Sequence, residues 1–317
     1  MRLMKIEAKN FGWGDLVGVA AAAILLACLP MRAVAQEKGQ KTFSSAEDAS
    51  QALVKAAQDN DEKTLIEIVG KSAKEIISSG DDKQDAQHRA HFVKRYEEMH
   101  RLFKEPDGTT TLYVGVDNWP TPMHLVNKGN VWYFDGEAAK QAVLFRRIGK
   151  NEISTIRVCE QLAAAEKEYF AMQNVYAAKI ASDAGQKNGL YWDGEPKSPI
   201  GPKVAAADTT GKTASTTPFR GYYFRVLTDQ GKDAPGGAKS YIVDGKMTDG
   251  FAVEAYPVEY RSSGVMTFMV GSDGVVHEKD LGKKTETEAK TMKSFNPDSS
   301  WRGAESEPEA TNAQTSK

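Results

Sequence analysis

Between residues 43 and 103 the apolar positions recur at steps of three and four: Ala46, Ala49, Leu53 and Ala56, then Leu65, Ile68 and Val69, then Phe92, Tyr96, Met99 and Phe103. That spacing places each set on one face of a helix and predicts three amphipathic helices. Ser44 or Ser45 ahead of Glu47 and Asp48 marks the first start, because a hydroxyl accepts from the unpaired N–H groups and acids suit the positive helix end. The polar run 78–85 interrupts the pattern. After the turn Pro106-Asp107-Gly108 the period shortens to two, with Leu112, Val114 and Val116 alternating in a strand over 109–116. Segments 123–126 and 131–134 flank Asn127-Lys128-Gly129-Asn130, which predicts a hairpin.

The helical period returns over 151–180, where Val158, Leu162, Ala165, Tyr169, Met172, Tyr176 and Ile180 form one stripe that Gly185 and Gly189 end. A Gly-, Pro-, Ser- and Thr-rich loop follows to 217, then strand candidates at 221–227, 240–243, 251–256, 265–270 and 275–279. The expected fold class is α+β: N-terminal helices plus an antiparallel hairpin sheet, then one long helix packed on an antiparallel meander sheet. The domains expected are 36–148 and 149–302. The composition of 303–317 predicts a disordered tail.

What precedes residue 36 has a different character. Arg2, Lys5 and Lys9 lead an apolar run at 16–29, followed by Pro30 and the small-residue site Ala33-Val34-Ala35. This reads as a secretory signal cut after Ala35, and the run is shorter than the roughly 18 to 20 residues of a permanent span. The expected location is the periplasm or the exterior. The alternative is a lipoprotein acylated at Cys28 in Leu25-Leu26-Ala27-Cys28. Over the whole chain, 41 Lys+Arg face 43 Asp+Glu, so no basic field exists to recruit nucleic acid. Beyond the signal Cys159 is the lone cysteine; it cannot form an internal disulfide, and among Ile156, Val158 and Leu162 it reads as a small core hydrophobe.

Helices first and then a sheet bearing Trp119 and Trp132 resembles the cone-shaped cystatin or nuclear-transport-factor type of fold. The later layout, with Phe251-Ala252-Val253-Glu254-Ala255-Tyr256-Pro257 and Thr267-Phe268-Met269-Val270-Gly271-Ser272-Asp273-Gly274, is similar to the globular part of type IV pilins, although no prepilin helix joins onto Asn151. A further set of strings runs in order along the chain: Arg146-Arg147-Ile148-Gly149-Lys150-Asn151-Glu152, Gly189-Leu190-Tyr191-Trp192, Ser198-Pro199-Ile200-Gly201-Pro202, Gly221-Tyr222-Tyr223-Phe224-Arg225, Ala234-Pro235-Gly236-Gly237-Ala238 and Gly245-Lys246-Met247. Together they resemble a bacterial exported family, domain of unknown function 2950. The resemblance implies export and brings no activity with it.

Among chemistry-bearing motifs, Gly231-Lys232-Asp233-Ala234-Pro235-Gly236-Gly237-Ala238 lacks the Gly-Lys-Ser/Thr ending of a phosphate loop and reads as a structured turn. Asp229 and Asp233 lack the calcium-loop pattern. His88, His91 and His100 share a predicted helix, but without His-Glu-x-x-His or a Cys pair, and amid Arg89, Lys94, Arg95, Glu97 and Glu98, they read as a solvated face. Neither a metal nor a cofactor is called for. Gly-x-Ser-x-Gly and Ser-x-x-Lys are absent, and Glu254 with Glu259 reads as ordinary strand acids.

The ligand-binding candidates are Tyr191, Trp192, Ser198, Tyr223, Arg225 and Asp233. Aromatic rings on a Gly/Pro-rich loop suit stacking against a saccharide or peptide, or else plug the loop onto the helix. Arg146, Arg147 and Glu152 are the expected domain junction, with the arginines bridging through Glu152 or Asp135. The expected function is therefore a non-enzymatic exported envelope protein with a recognition surface at 189–202 and 231–237, whose partner is an envelope polymer or protein. The alternative is an envelope hydrolase assembled from Ser198, Glu254, Asp233 or Arg225.

Overall fold

The computed structural model describes residues 36–210 and 216–305; the expected signal segment with Cys28, and residues 306–317 of the expected tail, lie outside them. The chain divides into two compact units between Lys140 and Gln141.

In the first unit, helices α1 (Ala46–Gln58), α2 (Glu62–Val69), α3 (Lys74–Ile77) and α4 (Asp82–Glu98) accompany strands β1 (His100–Lys104), β2 (Thr110–Val114), β3 (Trp119–Lys128) and β4 (Val131–Phe134). Side-chain caps start three of the helices: Ser45 accepts from Asp48 N–H, Asp61 from Thr64, and Asp81 from Lys83 and Gln84. The strands form an antiparallel meander in the order β1-β2-β3-β4. Leu53, Leu65, Ile68 and Val69 from the helices meet Leu112, Val114, Leu125 and Phe134 from the sheet in one core. The expected hairpin turn has Gly129 and Asn130 both at positive φ, which matches a two-residue turn between right-twisted strands. The third expected helix ends at Glu98, before Phe103, which lies in β1 instead.

The long helix, α5 (Gly136–Gln173), begins earlier and ends sooner than the expected 151–180. Asn174, in the left-handed region, stops it, and Tyr176 and Ile180 reach the core from the chain beyond the helix. The short α6 (Pro202–Ala205) follows.

In the second unit the strands are β5 (Tyr222–Leu227), β6 (Asp229–Gln230), β7 (Lys239–Ser240), β8 (Ile242–Val243), β9 (Lys246–Met247), β10 (Ala252–Pro257), β11 (Thr267–Gly271), β12 (Val276–Lys279), β13 (Ser294–Phe295) and β14 (Arg302–Gly303). Helix α7 (Thr285–Thr291) lies between β12 and β13. The main sheet is antiparallel in the order β14-β12-β11-β10-β5. Every residue of β10 and β11 is buried, so both faces of the sheet centre are covered. Cys159 and Leu162 of α5 share one core with Tyr222, Phe224, Phe251 and Phe268. The molecule is thus α+β, with one long helix packed against antiparallel strands. Gly303, where the tail was expected to begin, pairs with His277, and Ala304 N–H donates to the Val276 carbonyl. No helix among the described residues is long and apolar enough to cross a membrane.

Candidate functional site

The first unit holds a cavity of about 430 Å³ between α1, α2, α3, α4 and the β2–β3 part of the sheet. That volume falls in the range of small-molecule sites, roughly 300 to 1,000 Å³. Its wall is apolar, with Leu53, Leu65, Ile76, Ile77, Phe92 and Met123 contributing, while α4 adds Asp85, His88, Arg89, His91 and Arg95. The helical repeat explains the arrangement: 85, 88, 92 and 95 recur at steps of three and four and so lie along one side of α4. His88, His91 and Trp119 are exposed and form the rim.

The charges around this cavity are unevenly satisfied. Asp85 is buried and accepts from the Ser79 hydroxyl at 2.8 Å and the Ser79 N–H at 2.9 Å. These bonds, the hydroxyl first, hold its carboxyl below the ordinary range, with Arg89 and His88 adding to the effect. Arg95 donates through Nη2 to Asp117 and to the Val114 carbonyl, and lies over the Trp119 ring. Arg89 donates through Nε to Asn60 Oδ1 at 2.9 Å, an uncharged partner. Two guanidinium atoms, Arg89 Nη1 and Arg95 Nε, are buried with no hydrogen-bond acceptor among the described residues. A buried donor left unpaired costs about 1 to 3 kcal/mol, so both positions weigh on the stability of this unit.

Ser79 is hydrogen-bonded to the acid, whereas a nucleophilic triad needs its serine bonded to the base. Among the described residues no group of three or more His, Cys, Asp or Glu is placed to hold a metal ion. Of the face expected to be solvated, His88, His91, Lys94, Glu97, Glu98 and His100 are exposed, while Arg89 and Arg95 are half-buried at the cavity. The repeat of Asp85, His88, Phe92 and Arg95 was the available signal, but so charged a stripe reads as surface.

The residues singled out from sequence lie in the second unit and are engaged separately. Trp192 is buried in the core beside Tyr169, its Nε1 donating to the Pro196 carbonyl at 2.7 Å. Tyr191 donates to Asp193, Ser198 to the Ile200 carbonyl, and Asp233 accepts from the Asn296 side chain. Tyr223 packs against the Tyr256 ring. Arg225 pairs with the fully buried Glu254 at 2.6 Å and donates to the Ala289, Lys290 and Met292 carbonyls, so it clasps the C-terminal end of α7. Burial pushes the Glu254 carboxyl up to about 7 against the pull of Arg225. Arg147 donates to the Ser262 carbonyl, not to Glu152. Glu152 accepts from the Val265 and Met266 N–H groups, and burial raises its carboxyl. The hydrolase candidates Ser198, Glu254, Asp233 and Arg225 thus each have their own partners, and only Arg225 and Glu254 are brought together.

A smaller hollow of about 280 Å³ lies between α5 and the 199–204 stretch, with Leu162, Glu168 and Ile200 among its lining.

The family model described as Protein of unknown function (DUF2950) matches residues 40–304 of the chain. No curated protein matches, and no solved structure matches, which leaves the pilin-like likeness unsupported.

Proposed function

From the premise that this chain belongs to the DUF2950 family, we propose that it is an exported, non-enzymatic binding protein whose first unit holds a small apolar ligand. Export rests on the basic, apolar and small-residue order of residues 1–35. The binding role is carried by one observation, the largely apolar cavity of about 430 Å³. The dispersed engagement of Ser198, Asp233 and the Arg225–Glu254 pair weighs against the hydrolase alternative. With Trp192 committed to the core, recognition moves from the 189–202 loop to the cavity.

The test is a fluorescence titration with N-phenylnaphthylamine, a neutral apolar dye, against the wild type and Ala57→Phe. Ala57 lines the cavity and is buried, so a phenyl ring there fills the space the dye needs. Saturable binding by the wild type and its loss in a variant with unchanged circular dichroism support the reading. Absence of binding, or equal binding by both proteins, rejects it.

A further inference from the structure

Resting on the export proposed above, with its cut after Ala35, we propose that Gln36 becomes the N-terminal residue and closes to pyroglutamate, which seals the chain one residue ahead of a clamp on the first unit.

The clamp begins at Glu37. Its carboxylate accepts from Lys71 N–H at 2.7 Å and from the Ser72 N–H and hydroxyl, so it holds the turn that follows α2. Gln40 is buried, and its amide donates to the Ile68 carbonyl at 3.1 Å and the Phe134 carbonyl at 2.7 Å, joining the end of α2 to the end of β4. Lys41 N–H donates to the Glu67 carbonyl, and Phe43 pairs with Trp132. Loss of residues from this end strips those carbonyls of their donors, and an open terminus is where exopeptidases start.

Gln36 differs from its neighbours. It is exposed, lies outside any helix or strand, and its side chain makes one hydrogen bond among the described residues, from Nε2 to the Gln40 carbonyl at 3.0 Å. Once the Ala35–Gln36 peptide bond is cut, the α-amine and the side-chain carbonyl carbon belong to one residue, and the attack of one on the other needs no second reactant. The amine nitrogen bonds to Cδ, the Cδ–Nε2 bond breaks, and Nε2 leaves as ammonia with the proton that the amine gives up. Nothing is oxidised or reduced. The bond to the Gln40 carbonyl goes with that nitrogen, while Glu37 N–H keeps its own bond to Gln40 Oε1 at 3.2 Å. Asparagine in this place would close a ring one atom smaller and strained.

The test is to express the full chain in a bacterial host, read its N-terminal peptide by tandem mass spectrometry, and digest the folded protein with an aminopeptidase. A synthetic peptide starting at Gln36 is carried through the same handling. The expected terminus is residue 36, lighter by one ammonia and resistant to the enzyme, with the synthetic peptide still open. Gln36→Asn is expected to keep its full mass and to lose residue 36 to the aminopeptidase. An open Gln36, or closure of the synthetic peptide to the same extent, overturns the ring and leaves export standing. If Gln36→Asn resists the enzyme equally, the clamp alone excludes it and the seal is overturned. A chain starting at an acylated Cys28 overturns the cut after Ala35 and the ring with it, and a chain that keeps residues 1–35 overturns export itself.

Discussion

Glu166, two turns from the C-terminal end of α5, has a fully buried carboxyl whose Oε2 accepts from Ala177 N–H at 2.8 Å, while Oε1 has no partner among the described residues. One bond does not compensate for removal from water, and burial pushes this carboxyl up to about 8. A raised carboxyl pKa means that the native state holds a proton which the unfolded chain releases. The resulting stabilisation is complete below the unfolded value of 4.5 and is lost as pH rises through about 8. At about 1.4 kcal/mol per pH unit, the interval amounts to at most about 5 kcal/mol. Glu166→Gln keeps an acceptor for Ala177 and removes the titration. The assay is urea unfolding of wild type and variant at about pH 5 and about pH 9, outside most of the interval on either side. The variant should gain several kcal/mol relative to wild type at the higher pH. Glu152 and Glu254, raised in the same direction, are present in both proteins, so their shared contribution cancels in the comparison. A difference between variant and wild type that is the same at both pH values would refute the reasoning.

Two other perturbations follow from the packing of the second unit. Asp208 is buried and accepts from the Ile180, Ala181 and Thr210 N–H groups at 2.7 to 2.9 Å, so Asp208→Ala strips three backbone donors of their acceptor. A loss of about 3 kcal/mol or more in urea unfolding is expected, and a loss under about 1 kcal/mol would show that water replaces the carboxylate. At Gly264 an added methyl would lie 2.0 Å from the Tyr222 hydroxyl, which is itself bonded to the Met266 carbonyl, whereas Gly201 has open space. Gly264→Ala should therefore lower the melting temperature by the equivalent of about 1 to 3 kcal/mol, with Gly201→Ala as the milder control, and equal effects would count against the contact.

The parts of the fold that were legible in the sequence are those where one local rule acts. The turn at 127–130 needed residues tolerant of positive φ, and Gly129 and Asn130 supply them. The centre of the second sheet was legible because 251–256 and 265–270 are apolar and β-branched enough to be covered on both sides. The long helix was misplaced at both ends for separate reasons. Arg146-Arg147 and Gly149 looked like a junction, although α5 runs through them. Tyr176 and Ile180 continued the helical period by coincidence, after Asn174 had already ended the helix. The cavity was hidden because charged residues on α4 read as surface, and only the fold reveals that Phe92 and Met123 lie beside them. Tyr191 and Trp192 read either as stacking rings or as plugs of their loop onto the long helix, and Trp192, buried beside Tyr169 of α5, is a plug.

The two sheets also differ in when they can be completed as the chain emerges from its N-terminal end. In β1-β2-β3-β4 each strand pairs with its immediate successor, so the first unit has its whole sheet once Phe134 is out. The main sheet of the second unit waits for β14 at Arg302, and β6 acquires its parallel neighbour only when β13 at Ser294 arrives. Pairings across such long stretches of chain form late and carry a larger loop-closure cost. A ribosome or channel still holding the last dozen described residues therefore leaves the first unit able to close its cavity while the second remains unfinished, its long helix and central strands waiting for their final edge.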